Sequence, residues 1–125
     1  MKRYLFVLGV LWACSPEREQ VVLSPTEFQS KLKETPDAIL LDVRRPEEIA
    51  VERLENSQSI VFDDSFETKL EDLEQKPLFV YCASGKRSAK AASILRGKGY
   101  KNVYELEGGL GAWKEAGLIL DQAQQ

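Results

Sequence analysis

A single cysteine at the head of a small, basic segment is the residue best suited to chemistry. Cys82 follows an apolar run, and Gly85 permits a tight turn in which backbone N–H groups surround a negative charge. The pKa of a free cysteine is about 8.5, and nearby cations or a helix N-terminus lower it. We therefore predict that Cys82 is a nucleophile. The predicted anion-binding segment around it comprises Ala83, Ser84, Gly85, Lys86, Arg87 and Ser88.

The activation of Cys82 is expected to come from this segment alone. Lys86 and Arg87 are expected to raise its thiolate fraction. The chain contains no histidine, which excludes a cysteine–histidine dyad and the usual zinc ligands, so neither a metal nor a cofactor is expected. The simpler alternatives are a buried cysteine that ends a strand, solvated basic side chains, and hydroxyls of Ser84 and Ser88 that only cap backbone groups.

The elements that must position this segment follow an alternating pattern. The stretches between the apolar runs carry helix start signals such as Ser24-Pro25 and Pro46, and the stretch 88–96 is alanine-rich. This alternation predicts an α/β fold with a central, mostly parallel sheet of about five strands and helices on both faces. Ligands bind such sheets beyond the carboxyl ends of the strands. The predicted strands are the runs at residues 21–23, 38–41, 59–62, 78–81 and 103–104.

The first fourteen residues have the pattern of an export signal. A basic start precedes an uncharged apolar run over residues 4–13, which is shorter than the roughly 20 residues that span a bilayer. The run ends in Leu11-Trp12-Ala13-Cys14, which resembles the bacterial lipobox, where cleavage precedes a lipid-bearing cysteine. A plain signal peptide or a buried amphipathic helix is the alternative. We expect an exported protein on the periplasmic side of a bacterial membrane, anchored by lipid at Cys14.

These patterns divide the chain into four parts. Residues 1–13 are the predicted signal peptide, and residues 14–20, with Cys14 first, form a polar tether. Residues 21–120 form the folded domain, and residues 121–125 form a C-terminal tail. If lipid occupies Cys14, Cys82 is the only free thiol of the mature protein.

The charge balance argues against a nucleic-acid partner. The chain has 17 basic and 20 acidic side chains, and removal of residues 1–13 takes away Lys2 and Arg3, which leaves 15 basic side chains and a net charge of −5. Binding to the phosphate backbone requires several Lys or Arg contacts, and this overall field opposes it.

Three segments carry a resemblance to a known family: Leu41-Asp42-Val43-Arg44 with Pro46-Glu47-Glu48, Cys82 to Ser88, and Leu106-Glu107-Gly108-Gly109 with Ala112-Trp113 and Ala116-Gly117. They resemble the rhodanese family of sulfurtransferases, and the resemblance covers most of residues 21–120. It implies the small rhodanese-like α/β domain, in which Cys82 accepts sulfur and backbone N–H groups of residues 83–88 surround the persulfide. It also implies that Arg87 closes the loop, Lys86 faces the substrate, and Asp42 and Arg44 support the site from a neighbouring strand end.

The resemblance implies a double displacement, in which the Cys82 thiolate takes sulfur from a small anionic donor such as thiosulfate and passes it to a thiol or cyanide. It also implies a protein sulfur acceptor as a further option. One alternative is a persulfide carrier or thiol-redox binding module that does not turn over. A phosphatase or arsenate reductase is another, but those loops place five residues between cysteine and arginine, whereas four separate Cys82 from Arg87.

One stretch departs from the family pattern. Residues 50–57 stand where the family usually has Gly-His-Ile-x-Gly-Ala, and Arg53 replaces the histidine. The change lies away from the loop that carries the nucleophile. We therefore expect it to alter the wall of the site and its substrate preference rather than the reactive cysteine.

Overall fold

The structure, a computed structural model, describes residues 20–122. The predicted signal peptide, Cys14 and residues 15–19 of the predicted tether lie outside the described residues, as do residues 123–125. Between residues 20 and 122, no helix combines the length and the apolar character needed to cross a membrane.

Five strands form a parallel sheet in the order β1-β6-β5-β2-β4, and β3 pairs with β7 as an antiparallel ribbon. The predicted α/β class and five-stranded parallel sheet are confirmed. Residues 121 and 122, which the sequence assigns to a tail, form β7. In chain order the elements are β1 (Val22–Leu23), α1 (Pro25–Lys33), β2 (Ile39–Asp42), α2 (Pro46–Ile49), β3 (Glu52–Arg53), β4 (Gln58–Ser59), a 3-10 helix (Glu67–Leu70), β5 (Leu78–Tyr81), α3 (Lys86–Gly97), β6 (Val103–Leu106), α4 (Gly109–Glu115) and β7 (Asp121–Gln122).

Apolar side chains cover both faces of the sheet. Successive side chains of a strand point to opposite faces. Val80 and Cys82 therefore join a cluster with Leu95 of α3, whereas Phe79 and Tyr81 join the cluster on the face covered by α1 and α4. Cys82 is completely buried, so core packing fixes the base of its side chain.

The strand expected at residues 59–62 is shorter and begins one residue earlier, as β4. Its partner in the sheet is β2, which ends at Asp42. The N–H of Ile60 donates to the carbonyl of Asp42 and the N–H of Phe62 to that of Val43, both at 3.0 Å, so residues 60–62 stay beside the end of β2 without regular strand pairing. The prediction of residues 59–62 was too long because an apolar run shows that side chains are buried but not where the neighbouring strand stops.

The helix expected at residues 88–96 begins two residues earlier, at Lys86. Gly85 precedes its first turn with a φ of 97°, a left-handed conformation that glycine adopts without strain. The carbonyl of Gly85 accepts the N–H of Ala89 at 3.1 Å. Ser88 therefore lies inside the first helical turn, where its N–H points back towards the preceding loop.

Candidate active site

Cys82 lies at the carboxyl end of β5, between the ends of β2 and β6. Three hydrogen-bonding groups surround its sulfur. The N–H of Gly85 lies 3.1 Å from Sγ, the N–H of Ser88 lies 3.4 Å from it, and the Ser88 hydroxyl oxygen lies 3.4 Å from it. The loop and the first turn of α3 thus form an anion cradle around one sulfur atom.

The cradle lowers the pKa of Cys82. Burial is the largest single influence and raises this pKa. The hydroxyl and N–H of Ser88, together with the N–H groups of Ser84 and Gly85, outweigh burial and lower the pKa below the ordinary thiol value. The net result favours the thiolate, which is the nucleophilic form of cysteine.

Neither of the two cations expected to activate Cys82 donates one of the hydrogen bonds described at its sulfur. The side chain of Lys86 is exposed, and Arg87 forms a bidentate ion pair with Glu48 of α2. Its two terminal nitrogens lie 2.6 and 2.9 Å from the two carboxylate oxygens. The effect on the thiol that the sequence assigns to these cations is therefore carried mainly by the hydrogen bonds of the cradle.

Glu48 is the site residue that the sequence reasoning missed. Its hydrogen bonds to Arg87, with a further contribution from Arg45, lower its pKa to about 2 against the opposing effect of burial. In the sequence this glutamate was only part of a segment that carries the family resemblance, Pro46-Glu47-Glu48, and no role in the site was expected for it. A usable signal was its position just after β2. The carboxyl ends of neighbouring parallel strands meet at the same end of a sheet, so a residue after β2 lies near the loop after β5.

Asp42 and Arg44 form a buried ion pair behind the loop. The Arg44 side chain binds the Asp42 carboxylate at 2.8 Å and donates to the carbonyl of Glu52 at 2.7 Å. The hydroxyl of Tyr81 accepts the N–H of Leu54 at 3.1 Å, and the Arg44 guanidinium lies 5.7 Å from the centre of the Tyr81 ring. The pair therefore links β2 and β3 to the residue that precedes Cys82.

The glycines after β6 let α4 approach the loop closely. The N–H of Leu110 donates to the carbonyl of Cys82 at 2.8 Å, and the N–H of Gly111 donates to that of Ala83 at 3.1 Å. A Cβ atom at Gly109 would lie 2.5 Å from the carbonyl oxygen of Cys82, which is closer than such atoms can come. The glycine pair that carries part of the family resemblance thus has a steric role.

A groove of about 310 Å³ runs beside the loop. Val51, with 69% of its surface exposed, and Leu110 give the groove an apolar part, and an ion pair between Lys114 and Glu52 lies along it. Arg53, at the family's histidine position, is exposed on β3. The residues that line the groove are Arg44, Glu48, Val51, Glu52, Ala83, Leu110, Gly111 and Lys114.

All predicted site residues within the described part of the chain lie at this edge of the sheet, but they have different surroundings. Gly85 and Ser88 contact the sulfur directly, whereas Ala83 lines the groove. The side chain of Ser84 is exposed, and its contribution comes from the backbone. Cys14, the predicted lipidation site, lies outside the described residues. What the site can do chemically is present one stabilised thiolate beside a groove for a second molecule.

Comparisons with known proteins agree with this geometry. An uncharacterised protein of Synechocystis is 36% identical over 104 residues, which cover 83% of this chain and 58% of that protein. A tRNA uridine(34) hydroxylase of Prochlorococcus marinus is 34% identical over 120 residues, which cover 88% of this chain and 38% of that protein. The chain thus spans less than two thirds of the length of either relative.

A solved structure with the same architecture is a rhodanese-related protein from Thermoplasma volcanium. It has a TM-score of 0.73 and 28% identity, and the match covers 84% of this chain and 100% of that one. The family model for the rhodanese-like domain matches residues 24–116, which include β2, the Cys82 loop and α4. With the loop, the strand order and this match in agreement, the chain belongs to the rhodanese-like domain family.

Proposed function

We propose that the protein is a sulfurtransferase that carries sulfur as a persulfide on Cys82. The observation that carries this proposal is the cradle around Sγ, to which Gly85 and Ser88 direct their N–H groups at 3.1 and 3.4 Å. Such donors stabilise a thiolate before reaction and a persulfide anion after it. Covalent catalysis of this kind divides one sulfur transfer into two easier displacements.

The reaction needs two displacements at sulfur. In the first, the Cys82 thiolate attacks the outer sulfur of a donor such as thiosulfate, and the donor's S–S bond breaks with its electron pair leaving on sulfite. In the second, a thiol or cyanide attacks the outer sulfur of the persulfide, and the Cys82 thiolate leaves. No electrons enter or leave the protein, so no redox cofactor takes part in either displacement.

The size of the cradle supports sulfur over phosphate as the transferred group. Four residues separate Cys82 from Arg87, and the N–H groups converge on the sulfur itself. Arg87, which a phosphatase would need for its substrate, is bound to Glu48. Release of phosphate from an aryl phosphate by the full chain would contradict this reasoning.

The RNA activity in the name of some relatives is not part of this proposal. Those hydroxylases are longer proteins, and the chain matches 38% of the one described above. Sulfur transfer by a persulfide, by contrast, requires only the residues at the edge of this sheet. The net negative charge also opposes binding to a phosphate backbone.

The proposal is tested by following the sulfur atom. The full chain is incubated with thiosulfate, its intact mass is measured for the gain of one sulfur, and cyanide is then added and thiocyanate is measured. We expect a one-sulfur adduct that Cys82→Ser abolishes, and repeated turnover with cyanide. Absence of the adduct, or its persistence in Cys82→Ser, would refute the proposal. An adduct without turnover would instead identify a persulfide carrier.

A further inference from the structure

Nearly every cation around the mouth of the site is paired with a carboxylate. Arg87 binds Glu48 through both terminal nitrogens, and the Arg45 side chain lies 3.3 Å from the same carboxylate. The active-site segment carries two cations, Lys86 and Arg87. Within residues 20–122, Lys86 forms no ion pair. The other two pairs at this edge are Arg44 with Asp42 and Lys114 with Glu52.

With Lys86 as the unpaired cation of the active-site segment, the site is a weaker receptor for a dianion than one that also offers a free arginine. A doubly charged donor would meet the carboxylate of Glu48 at the guanidinium that could otherwise bind it. Glu48 remains ionised at working pH, because its ion pair with Arg87 lowers its pKa to about 2. A donor that contacts the Arg87 guanidinium would lie well within the Debye length of about 8 Å at physiological salt. Its repulsion by the Glu48 carboxylate is therefore weakly screened.

The groove beside the loop points to a different kind of donor. Its volume of about 310 Å³ exceeds the needs of a small inorganic ion, and its apolar part, Val51 and Leu110, offers contact to an organic group. Val51 is 69% exposed and lies in the stretch that departs from the family pattern. Ala83, the residue after Cys82, and Glu48 both line this groove, so an organic group bound here would lie beside the loop.

We propose that Glu48 is a specificity-determining residue that turns the site away from dianionic donors and towards a low-molecular-weight thiol persulfide. This inference rests on the proposed function and names the substrate class of the same site. In the balanced step, the Cys82 thiolate attacks the outer sulfur of R–S–SH. The donor's S–S bond breaks, R–S⁻ leaves with the electron pair, and Cys82 retains the –SH group as its persulfide.

The first test measures the charge felt at Cys82 without any turnover. Cys82 is alkylated with iodoacetate, an anion, and with iodoacetamide, which is neutral, and the ratio of the two rates cancels changes in thiolate fraction. We expect Glu48→Gln to raise the ratio about fivefold, since it removes a negative charge near the mouth. Glu47→Gln is the matched control: it changes the preceding residue of α2, which pairs with Arg45, and leaves the Glu48–Arg87 pair intact. An unchanged ratio in Glu48→Gln would overturn the inference.

The second test compares donors. We expect Glu48→Gln to lower KM for thiosulfate about fivefold, with kcat within about a factor of two and little change with an alkyl persulfide. Wild-type protein should show the higher kcat/KM with the persulfide. Equal loss of kcat with both donors would show that Glu48 positions the loop instead, and a wild-type preference for thiosulfate would also contradict the inference.

Two further measurements keep the outcomes distinct. The first is Glu48→Ala, and the second is thermal unfolding of each variant. Together they show whether a change in the alkylation ratio or in KM follows from loss of charge or from loss of fold. If wild-type protein transfers sulfur from neither donor while the alkylation ratio still responds to Glu48→Gln, the sulfurtransferase proposal and the persulfide preference both fail. The electrostatic effect of Glu48 on Cys82 would remain as the measured result.

Discussion

Cys82 owes its lowered pKa mainly to hydrogen bonds, with an electrostatic interaction with Arg87 as a smaller contribution. The donors come from Gly85 and Ser88, and they oppose a burial that by itself raises the pKa. Sequence alone was sufficient to identify the cysteine and its glycine turn, because both are local features. It was not sufficient for Glu48, because the partner of that carboxylate, Arg87, lies 39 residues away and is met only in the folded chain.

Removal of the Ser88 hydroxyl should make the thiol less acidic. This hydroxyl favours the thiolate, so Ser88→Ala should raise the pKa of Cys82. A hydrogen bond to a charged group contributes about 1.5 kcal/mol or more, so alkylation by iodoacetamide near neutral pH should slow by up to about tenfold. Alkylation rates measured across a pH series give the midpoint of the Cys82 titration, which is the pKa of the thiol.

Ser84→Ala is the control for this experiment. Ser84 assists the thiolate through its backbone N–H, and its side chain is exposed, so the substitution keeps the relevant donor. We expect the midpoint of Ser84→Ala to match that of the wild type. Equal shifts in both variants would show that the effect is not specific to the Ser88 hydroxyl.

The edge of the sheet positions three elements around the loop: β5 below it, α3 after it and α4 beside it. Sequence patterns predicted the central strands well, since β2 and β5 are continuous apolar runs buried on both faces. They misjudged where β4 ends and where α3 begins. Those boundaries depend on where β2 stops and on the left-handed turn at Gly85, neither of which an apolar pattern records.

The contact between α4 and the loop predicts a severe effect at Gly109. An alanine Cβ there would lie 2.5 Å from the carbonyl oxygen of Cys82 and would also force a positive φ of 61° on a non-glycine residue. We expect Gly109→Ala to lower the free energy of unfolding by about 3 kcal/mol or more. The substitution should also make alkylation of the protein less selective for Cys82. Urea denaturation measures the loss of stability.

Gly117→Ala separates the two causes. Gly117 has a similar φ of 74°, but nothing lies within 4 Å of the Cβ it would gain. Its cost should therefore be that of the backbone conformation alone, about 1 kcal/mol. If both variants lose the same stability, the close approach of α4 to the loop contributes little.

For the molecule as a whole, the ion pair between α2 and α3 makes stability depend on pH. The pKa of Glu48 is lowered in the folded state from 4.5 to about 2, chiefly by its hydrogen bonds to Arg87. The contribution of the pair is therefore complete above about pH 4.5 and is lost as the pH falls towards 2. The pair joins segments on two sides of the reactive loop, so its loss affects the integrity of the site.

Stability measurements across this pH range test the coupling. Glu48→Gln should unfold more easily than wild type by about 1 kcal/mol at neutral pH, and the difference should shrink as the pH falls from 4.5 towards 2. Urea denaturation at several pH values measures it, with Glu47→Gln as the control. A difference that is independent of pH would show that the charge of Glu48 is not its cause.

The location of the protein in the cell is a separate proposal that rests on the first fourteen residues. We propose that the chain is exported and lipidated at Cys14, as the sequence pattern indicates. Cys14→Ser should move the protein from the membrane fraction to the soluble or unprocessed fraction of a bacterial host. Membrane retention of a fully processed Cys14→Ser protein would argue against the lipid anchor.

The direction in which β1 enters the sheet has a consequence for such an anchored protein. Val22 pairs with Glu105 and Leu23 with Leu106, so β1 runs parallel to β6, and the chain arrives from the side where β6 starts. Cys82 lies at the other edge, beyond the carboxyl end of β5. A membrane attached before residue 20 would therefore lie towards the end of the sheet where β6 starts, and the groove beside the Cys82 loop would lie at the end farther from the lipid.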